Sequence, residues 1–354
     1  MCRELCFESR LLYVPRYVII YTMPVAVFKK ISFRDLHTAG RVGYAVRSED
    51  KTFADVFSGR ILIERRKFYM IRLFTDSGAN LPRDLAEKYG ITVIPLRYSI
   101  DGESVDPTES AFDGKAFYDA MRSGAEVRTS MINIMDFSEA FRKALSEGND
   151  VLYVGMSGGI SGTAHAAAVA AEELASEFPA NRIAAVDTFA ASLGEGLLVL
   201  ECGEMIRKGH SFAEITGYVS SRRNTMCQFF TVDDLEYLKK GGRISGVAAV
   251  VGTILKIKPI LTGAADGRIV SCGKVRGTKA ALTDLADRYE SLAADKSAPI
   301  GIAHADNEEG HDALLQMLSD RGFTGSCLSV FYEPVTGSHV GPGTVALFFQ
   351  GKHK

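Results

Sequence analysis

From Met70 onward, apolar and polar positions follow two alternating periods. Short apolar runs at 71–75, 92–98, 151–154 and 183–186 read as strands, and segments with apolar residues three and four apart at 82–89, 113–123, 136–147, 163–174 and 191–208 read as helices. Strands alternating with helices at this spacing imply a parallel sheet. After about residue 223 the order changes. Strands are predicted at 227–232, 254–261, 268–274, 300–305 and 345–349, and helices at 234–240, 279–293 and 308–320. The expected fold is therefore α/β in two domains: an N-terminal parallel-sheet domain over 70–226, and a C-terminal domain with a mixed sheet over 227–351. The ligand is expected between them. Residues 1–69 form an irregular leader without a sustained period. The codons for Glu64, Arg65 and Arg66 can contain a bacterial ribosome-binding sequence shortly before Met70, so the leader is expected to be untranslated in the native protein.

The stretch 150–174 organises the rest. A strand leads into a loop punctuated by Gly155, Gly158, Gly159 and Gly162, and an Ala-rich segment follows with strong helix propensity. Ser161 falls where an N-cap belongs. The unpaired first amides of such a helix and the positive end of its dipole make Ser161, Gly162 and Thr163 a candidate anion site. Asp76, Ser77, Asp187 and Thr188 stand with this loop at strand carboxyl ends, where ligands of parallel sheets gather.

Composition narrows the function. A chain of 354 residues that is 46% hydrophobic and 24% charged buries a large core. A formal net charge of -2 and the lack of RNA- or zinc-finger patterns give nucleic acid no purchase. Cysteines at 2, 6, 202, 227, 272 and 327 form no CxxC pair, which argues against a disulfide framework and a zinc site and fits a reducing cytoplasm. No run approaches the roughly 20 apolar residues of a transmembrane helix, so no stable membrane insertion is expected. The apolar stretch 246–255 is too short, and the 18–28 run is broken by Pro24 with Lys29 and Lys30 directly behind it.

Three further patterns carry candidate chemistry. Gly155-Met156-Ser157-Gly158-Gly159 satisfies G-x-S-x-G, which makes Ser157 the nucleophile of an alternative serine lipid hydrolase; Ser161 with His165 four residues on is a second version. The context opposes the elbow, because the helix signal starts at Ser161 rather than directly behind Ser157. His339, among glycines and a proline, is expected on a loop in a site role. Arg128, Thr129 and Ser130 precede a helical segment and read as caps or turn groups, and Lys239, Lys240 and Arg243 as a solvated basic loop. Together these hydroxyls, the helix N-terminus, the histidine and the basic loop suit a ligand with one anionic end. A phosphate-ligand sensor at the Ser161 helix is a further alternative.

Seven ordered motifs, FTDSGANLP, RTS at 128–130, ISGT at 160–163, VDTFAAS at 186–192, DDLEYLKKGGRIS at 233–245, KVRG at 274–277 and GSHVGPG at 337–343, resemble the DegV family of bacterial fatty-acid-binding proteins, from Met70 to about Gly351. The resemblance implies a non-catalytic, cytoplasmic two-domain protein without a cofactor or metal. Such a protein encloses a long-chain fatty acid and presents its carboxylate to a separate fatty acid kinase catalytic subunit, which makes the acyl phosphate from ATP for phospholipid metabolism. Carried over by motif, Thr129 and Ser161 hold the carboxylate, with Ser130, Gly162, Thr163 and His339 around it. Arg243 and Arg276 resemble basic residues around the head group and the kinase-facing surface. This chain departs from the family at Met131-Ile132-Asn133, where many members read QPS, and at His165, where others often carry glutamine.

Overall fold

A computed structural model describes residues 7–14, 17–24, 70–105, 112–244 and 257–353. In the leader, β1 (Phe7–Val14) pairs antiparallel with β2 (Tyr17–Pro24), from Phe7 opposite Pro24 to Val14 opposite Tyr17. These runs are rich in the β-branched and aromatic residues that favour strands, so the leader is not irregular there. The rest of it, with Cys2, Cys6 and the codons before Met70, lies outside the described residues, as does the apolar stretch 246–255.

Tyr69–Lys354 forms one compact unit. Its first strands and helices are β3 (Ile71–Asp76), α1 (Arg83–Tyr89), β4 (Ile91–Ile94), β5 (Arg97–Ile100), β6 (Glu103–Val105), α2 (Gly114–Arg122), β7 (Val127–Ser130) and α3 (Ile134–Ser146). Then come β8 (Asp150–Gly155), α4 (Thr163–Glu177), β9 (Ile183–Asp187), α5 (Leu193–Arg207) and α6 (Phe212–Arg222). The chain continues with β10 (Met226–Thr231), α7 (Glu236–Lys240), β11 (Ile257–Gly263), β12 (Ile269–Arg276), α8 (Thr278–Leu292), β13 (Ile300–His304), α9 (Glu308–Asp320), β14 (Cys327–Phe331), α10 (Pro334–Val340) and β15 (Val345–Gln350).

Two main sheets result, as the alternation implies. The first is parallel, in the order β4-β3-β8-β9. The second is mixed, in the order β12-β11-β10-β15-β13-β14, with β13 and β14 its parallel pair. A small antiparallel sheet, β6-β5-β7, turns at Asp101 and Gly102, whose positive φ angles of 51° and 88° suit a two-residue hairpin.

Period-2 alternation stacks these sheets into layers. On β8, Val151 and Tyr153 face α3 and α4 with Phe137, Phe141 and Ala170, while Leu152 and Val154 face α5 with Leu193 and Leu198. On β15, Ala346 and Phe348 face that same inner core, while Val345, Leu347 and Phe349 pack under α8 and α9. Helix α5 thus lies between the sheets, touching β3 and β8 on one side and β10, β13 and β15 on the other. Its run of buried positions from Leu193 to Val199 follows from having sheet on both sides.

Two predicted elements are corrected. The strand expected over 92–98 is two, because Pro95 has no N–H for a ladder and the chain crosses there from the parallel sheet to the small one. The segment Arg128 to Ser130 is the strand β7 rather than a cap or turn, with Thr129 opposite Tyr98.

Candidate functional site

A cavity of about 830 Å³, counting its open mouth, lies against β10, β15, α10 and the loops after β8 and β9. Its walls are mainly apolar, with Leu96, Phe230, Leu238, Ile269, Val340 and Phe348 among them. Polar side chains gather at one part of it, and each comes from a different element.

Thr129 reaches it from the half-buried side of β7, and its Oγ1 lies 2.9 Å from Nε2 of His339. His339 sits in the last turn of α10, not on the expected loop. Glu333 starts that helix by accepting from the N–H groups of Val335 (2.7 Å) and Thr336 (2.5 Å), and Pro334 occupies the first turn, where its missing N–H costs nothing. Burial, and then the charge of Arg243, pull the His339 pKa down to about 4, so the imidazole is neutral at pH 7. It packs against Gly241, where an added Cβ would lie 2.2 Å from Nδ1.

Arg243 spans the two sides of the mouth. Its Nε donates to the Ile160 carbonyl at 3.1 Å and its Nη1 to the Gly241 carbonyl. Both acceptors are neutral, and no carboxylate pairs with it among the described residues, so a net positive charge faces the cavity. Reduced hydration pulls its pKa down from the usual arginine value.

Ser161 lines the cavity but does not cap α4. Gly162 is the cap, and the Ser161 Oγ lies 2.8 Å from Oγ1 of Thr163 and accepts from its N–H at 3.3 Å. The helix begins one residue later than the serine implies, because the turn made by the Ile160 and Ser161 amides on the Ser157 carbonyl is not yet helical. Of the other expected residues, Ser130 lines the cavity. Thr163 is buried behind Ser161, and Gly162 lies under Met131; neither belongs to the cavity wall. Arg276 is exposed at the end of β12, away from the wall.

The nucleophile pattern resolves into a structural tie. Ser157 is 1% exposed; its Oγ donates to the Gly267 carbonyl at 2.9 Å and accepts from the Gly159 N–H at 3.1 Å. Thus it joins the glycine loop to the turn between β11 and β12. At Gly159 an added Cβ would meet main-chain atoms of Gly267 and Arg268 at 2.6 and 2.7 Å. His165 is exposed on α4, and Ser161 is bonded to Thr163, so that pair is not assembled either. Asp76 and Asp187 also build loops. Asp76 accepts from Tyr153, Met156 and Gly78, and Asp187 from Gly158 and Phe189.

Behind Asp76 lies a second carboxyl. Glu195, fully buried on α5, accepts from Thr75 Oγ1 at 2.9 Å, and burial followed by the charge of Asp76 raises its pKa well above the usual value. Asp76 already takes three donors, so Glu195 carries the pair's proton.

The residues that sequence reasoning missed are Gln228, Tyr332 and Thr336 in the wall and Glu333 beneath it. Glu333 followed directly by Pro334 was the available signal for α10, since an acidic cap before proline marks a helix start.

The α/β fold thus holds an apolar cavity whose polar side chains and Arg243 gather at one part. The chain is a member of the DegV family: a family model described as "Uncharacterised protein, DegV family" matches residues 70–352. A DegV domain-containing protein of Clostridium perfringens is 38% identical over 284 residues, covering 80% of this chain and 98% of that one. A solved structure from Thermus thermophilus, described as fatty acid binding of a DegV family protein, superposes with a TM-score of 0.72 at 33% identity, covering 79% of this chain and 99% of that one. A fatty acid binding DegV family protein of Streptococcus agalactiae gives a TM-score of 0.71 at 29% identity, covering 80% and 100%. Among the described residues no helix is long and apolar enough to cross a membrane, and no group of three potential metal ligands occurs.

Proposed function

We propose that this chain binds one long-chain fatty acid in the cavity, tail inward, with its carboxylate at Thr129, Ser161, His339 and Arg243. It presents that carboxylate to a separate kinase subunit, which phosphorylates it with ATP, and performs no catalysis itself. The observation that carries this reading is Arg243, a guanidinium that among the described residues bonds only to carbonyls beside an apolar cavity. An anionic head completes its charge, and a hydrocarbon tail fits the walls.

Magnitudes divide the labour. Burying roughly fourteen methylenes at about 0.8 kcal/mol each gains on the order of 11 kcal/mol before the entropic costs of binding. A neutral hydrogen bond to the head adds about 0.5–1.5 kcal/mol. The tail therefore supplies affinity, and the polar groups fix the direction of the carboxylate and offset its desolvation.

Hydrogen-bond inventory also assigns the His339 tautomer. If the ring accepted from Thr129, that hydroxyl would have no proton left for the acid. With the proton on Nε2, His339 donates to Thr129 Oγ1 and frees the Thr129 O–H for a carboxylate oxygen. The other carboxylate oxygen remains free at the mouth as the nucleophile for a phosphoryl group.

Native mass spectrometry of the purified protein, with lipid extraction of any adduct, tests the binding. One fatty acid per chain is the expected result. A protein that retains none and takes up none when it is added overturns the reading. Addition of a fatty acid kinase subunit and ATP tests presentation: acyl phosphate should form only when this chain is present.

A further inference from the structure

Six large apolar side chains stand exposed among the described residues, and three of them, Met131, Ile134 and Met135, fall within five consecutive positions. Met135 reaches 80% exposure. Single exposed apolar residues are ordinary, whereas a cluster marks a contact surface. The local structure explains why these three are outside. Strand β7 ends at Ser130, Ile132 turns inward, and the Asn133 side chain accepts from the Asp136 N–H at 2.9 Å to start α3. Ile134 begins the stripe that continues through Phe137 and Phe141, but only those two are covered; Met135 lies off the stripe.

Met131 places the cluster beside the ligand. It lines the cavity and is 45% exposed, so it stands where the cavity meets solvent. Its thioether lies over Gly162, where an added Cβ would be 2.7 Å from Sδ; Ser161 is next in the chain to that glycine, and Thr129 is two residues from Met131. A protein acting on a carboxylate held by Thr129 and Ser161 therefore comes within a side-chain length of Met131.

Charge and size narrow the occupant. The first charged residues of α3 are Asp136, paired with Arg97 at 3.1 Å, and Glu139, exposed one helical turn after Met135. A helix that rests on an anionic lipid surface carries lysine and arginine in those places. A second copy held permanently would cover the opening beside Met131, and three side chains are a small part of the roughly 20–30 residues a side of a stable interface. A partner protein that docks, acts and leaves fits both constraints.

We propose that Met131, Ile134 and Met135 are the surface on which the kinase subunit docks while it acts on the presented carboxylate. This rests on the presentation reading above and adds where the partner makes contact. Methionine suits that task, because its unbranched, polarizable side chain adapts to the surface it meets.

The test uses Met135→Asp, at an exposed position outside the cavity wall, where the first turn of a helix tolerates an acid. Fatty acid retention, read by native mass spectrometry, should match that of the unaltered protein. With a fatty acid kinase subunit and ATP, the concentration of this chain needed for half-maximal acyl phosphate formation should rise by about tenfold or more, at the same maximal rate. Met135→Leu should keep the unaltered value. Met135→Ala should raise it less than the aspartate does, and serves if Met135→Asp does not fold. A merely structural role would move acid retention or the maximal rate instead. If the variants that fold retain acid and reach half-maximal rate at the unaltered concentration, the docking surface is refuted while presentation stands. Sedimentation of the unaltered protein, but not of Met135→Asp, with phosphatidylglycerol vesicles would then assign the patch to a lipid surface. If the unaltered protein supports no acyl phosphate formation, the presentation reading fails and the docking surface falls with it.

Discussion

His339 Nε2 and Thr129 Oγ1 lie 2.9 Å apart although 210 positions separate them in the chain. The contact joins α10, which precedes β15 of the mixed sheet, to β7 in the small sheet, and sets a neutral ring against a hydroxyl that lines the cavity. Thr129→Val removes that hydroxyl without much change in volume. Acid affinity should fall by no more than about tenfold, the worth of one hydrogen bond, because the tail provides most of it. Acyl phosphate formation with the kinase should fall much further, and Ser161→Ala should behave alike. Parallel titration and kinase assays check this. Equal losses in both would contradict the division between tail and head.

The low pKa of His339 gives stability a pH dependence of known sign. Between its ordinary 6.5 and the folded value of about 4, the unfolded chain binds a proton that the folded chain does not. Stability therefore rises with pH through that window and is unaffected by this group above it. In His339→Ala the contribution vanishes, so the difference in denaturation midpoint between the two proteins should change from pH 4 to 6.5 and stay level from 7 to 8. A difference that is flat across the whole range would show that the ring titrates normally.

Glu195 acts in the opposite direction. Its folded pKa is raised, so the folded state holds a proton that the unfolded chain releases above about 4.5, and stability falls as pH rises beyond that point. Glu195→Gln keeps the acceptor for Thr75 and supplies a permanent donor towards Asp76. At pH 7 it should be more stable by on the order of 1 kcal/mol, and the gain should shrink as pH approaches 4.5. Thermal melts across pH 4 to 8 measure it; a variant less stable at pH 7 would mean that the carboxylate form is the one the fold uses.

Ser157→Ala separates the tie from the nucleophile. It leaves the buried Gly267 carbonyl without its donor, at a cost of about 1–3 kcal/mol, and loosens the β11–β12 turn over the glycine loop. Lower thermal stability and faster release of a preloaded fluorescent fatty acid are the expected results. Loss of an ester-hydrolysing activity present in the unaltered protein would restore the hydrolase reading instead.

The sequence made the sheets legible where one strand has one kind of neighbour. β8 and β15 are continuous apolar runs between turn signals, and both are covered on two faces, so the period that decides them is plain. β7 was obscured because VRTS is short and half exposed, and its alternation is set by pairing with β5 rather than by a core. Helix α10 was obscured because Gly337 and Ser338 are poor helix formers; the Glu333 cap and packing under Tyr118 and Tyr332 hold it. Ser161 was legible from its place before an Ala-rich helix and His339 from the glycines and proline around it, whereas Thr129 and Arg243, which alone read as a turn group and a solvated basic residue, were reached through the motifs that resemble the family. Gln228 carries no such local mark, since the Phe189 and Ala191 main-chain groups it bonds are brought beside it only by the fold.

Gly159 and Gly267 meet main chain to main chain. Apart from the Ser157 hydroxyl that ties it, a seam of that kind depends on main chain rather than on side chains. Cavity walls can change residue by residue, widening or narrowing, while the glycine loop and the turn keep one fixed separation. Substitutions in the walls are then free to change the cavity without disturbing how this edge of it closes.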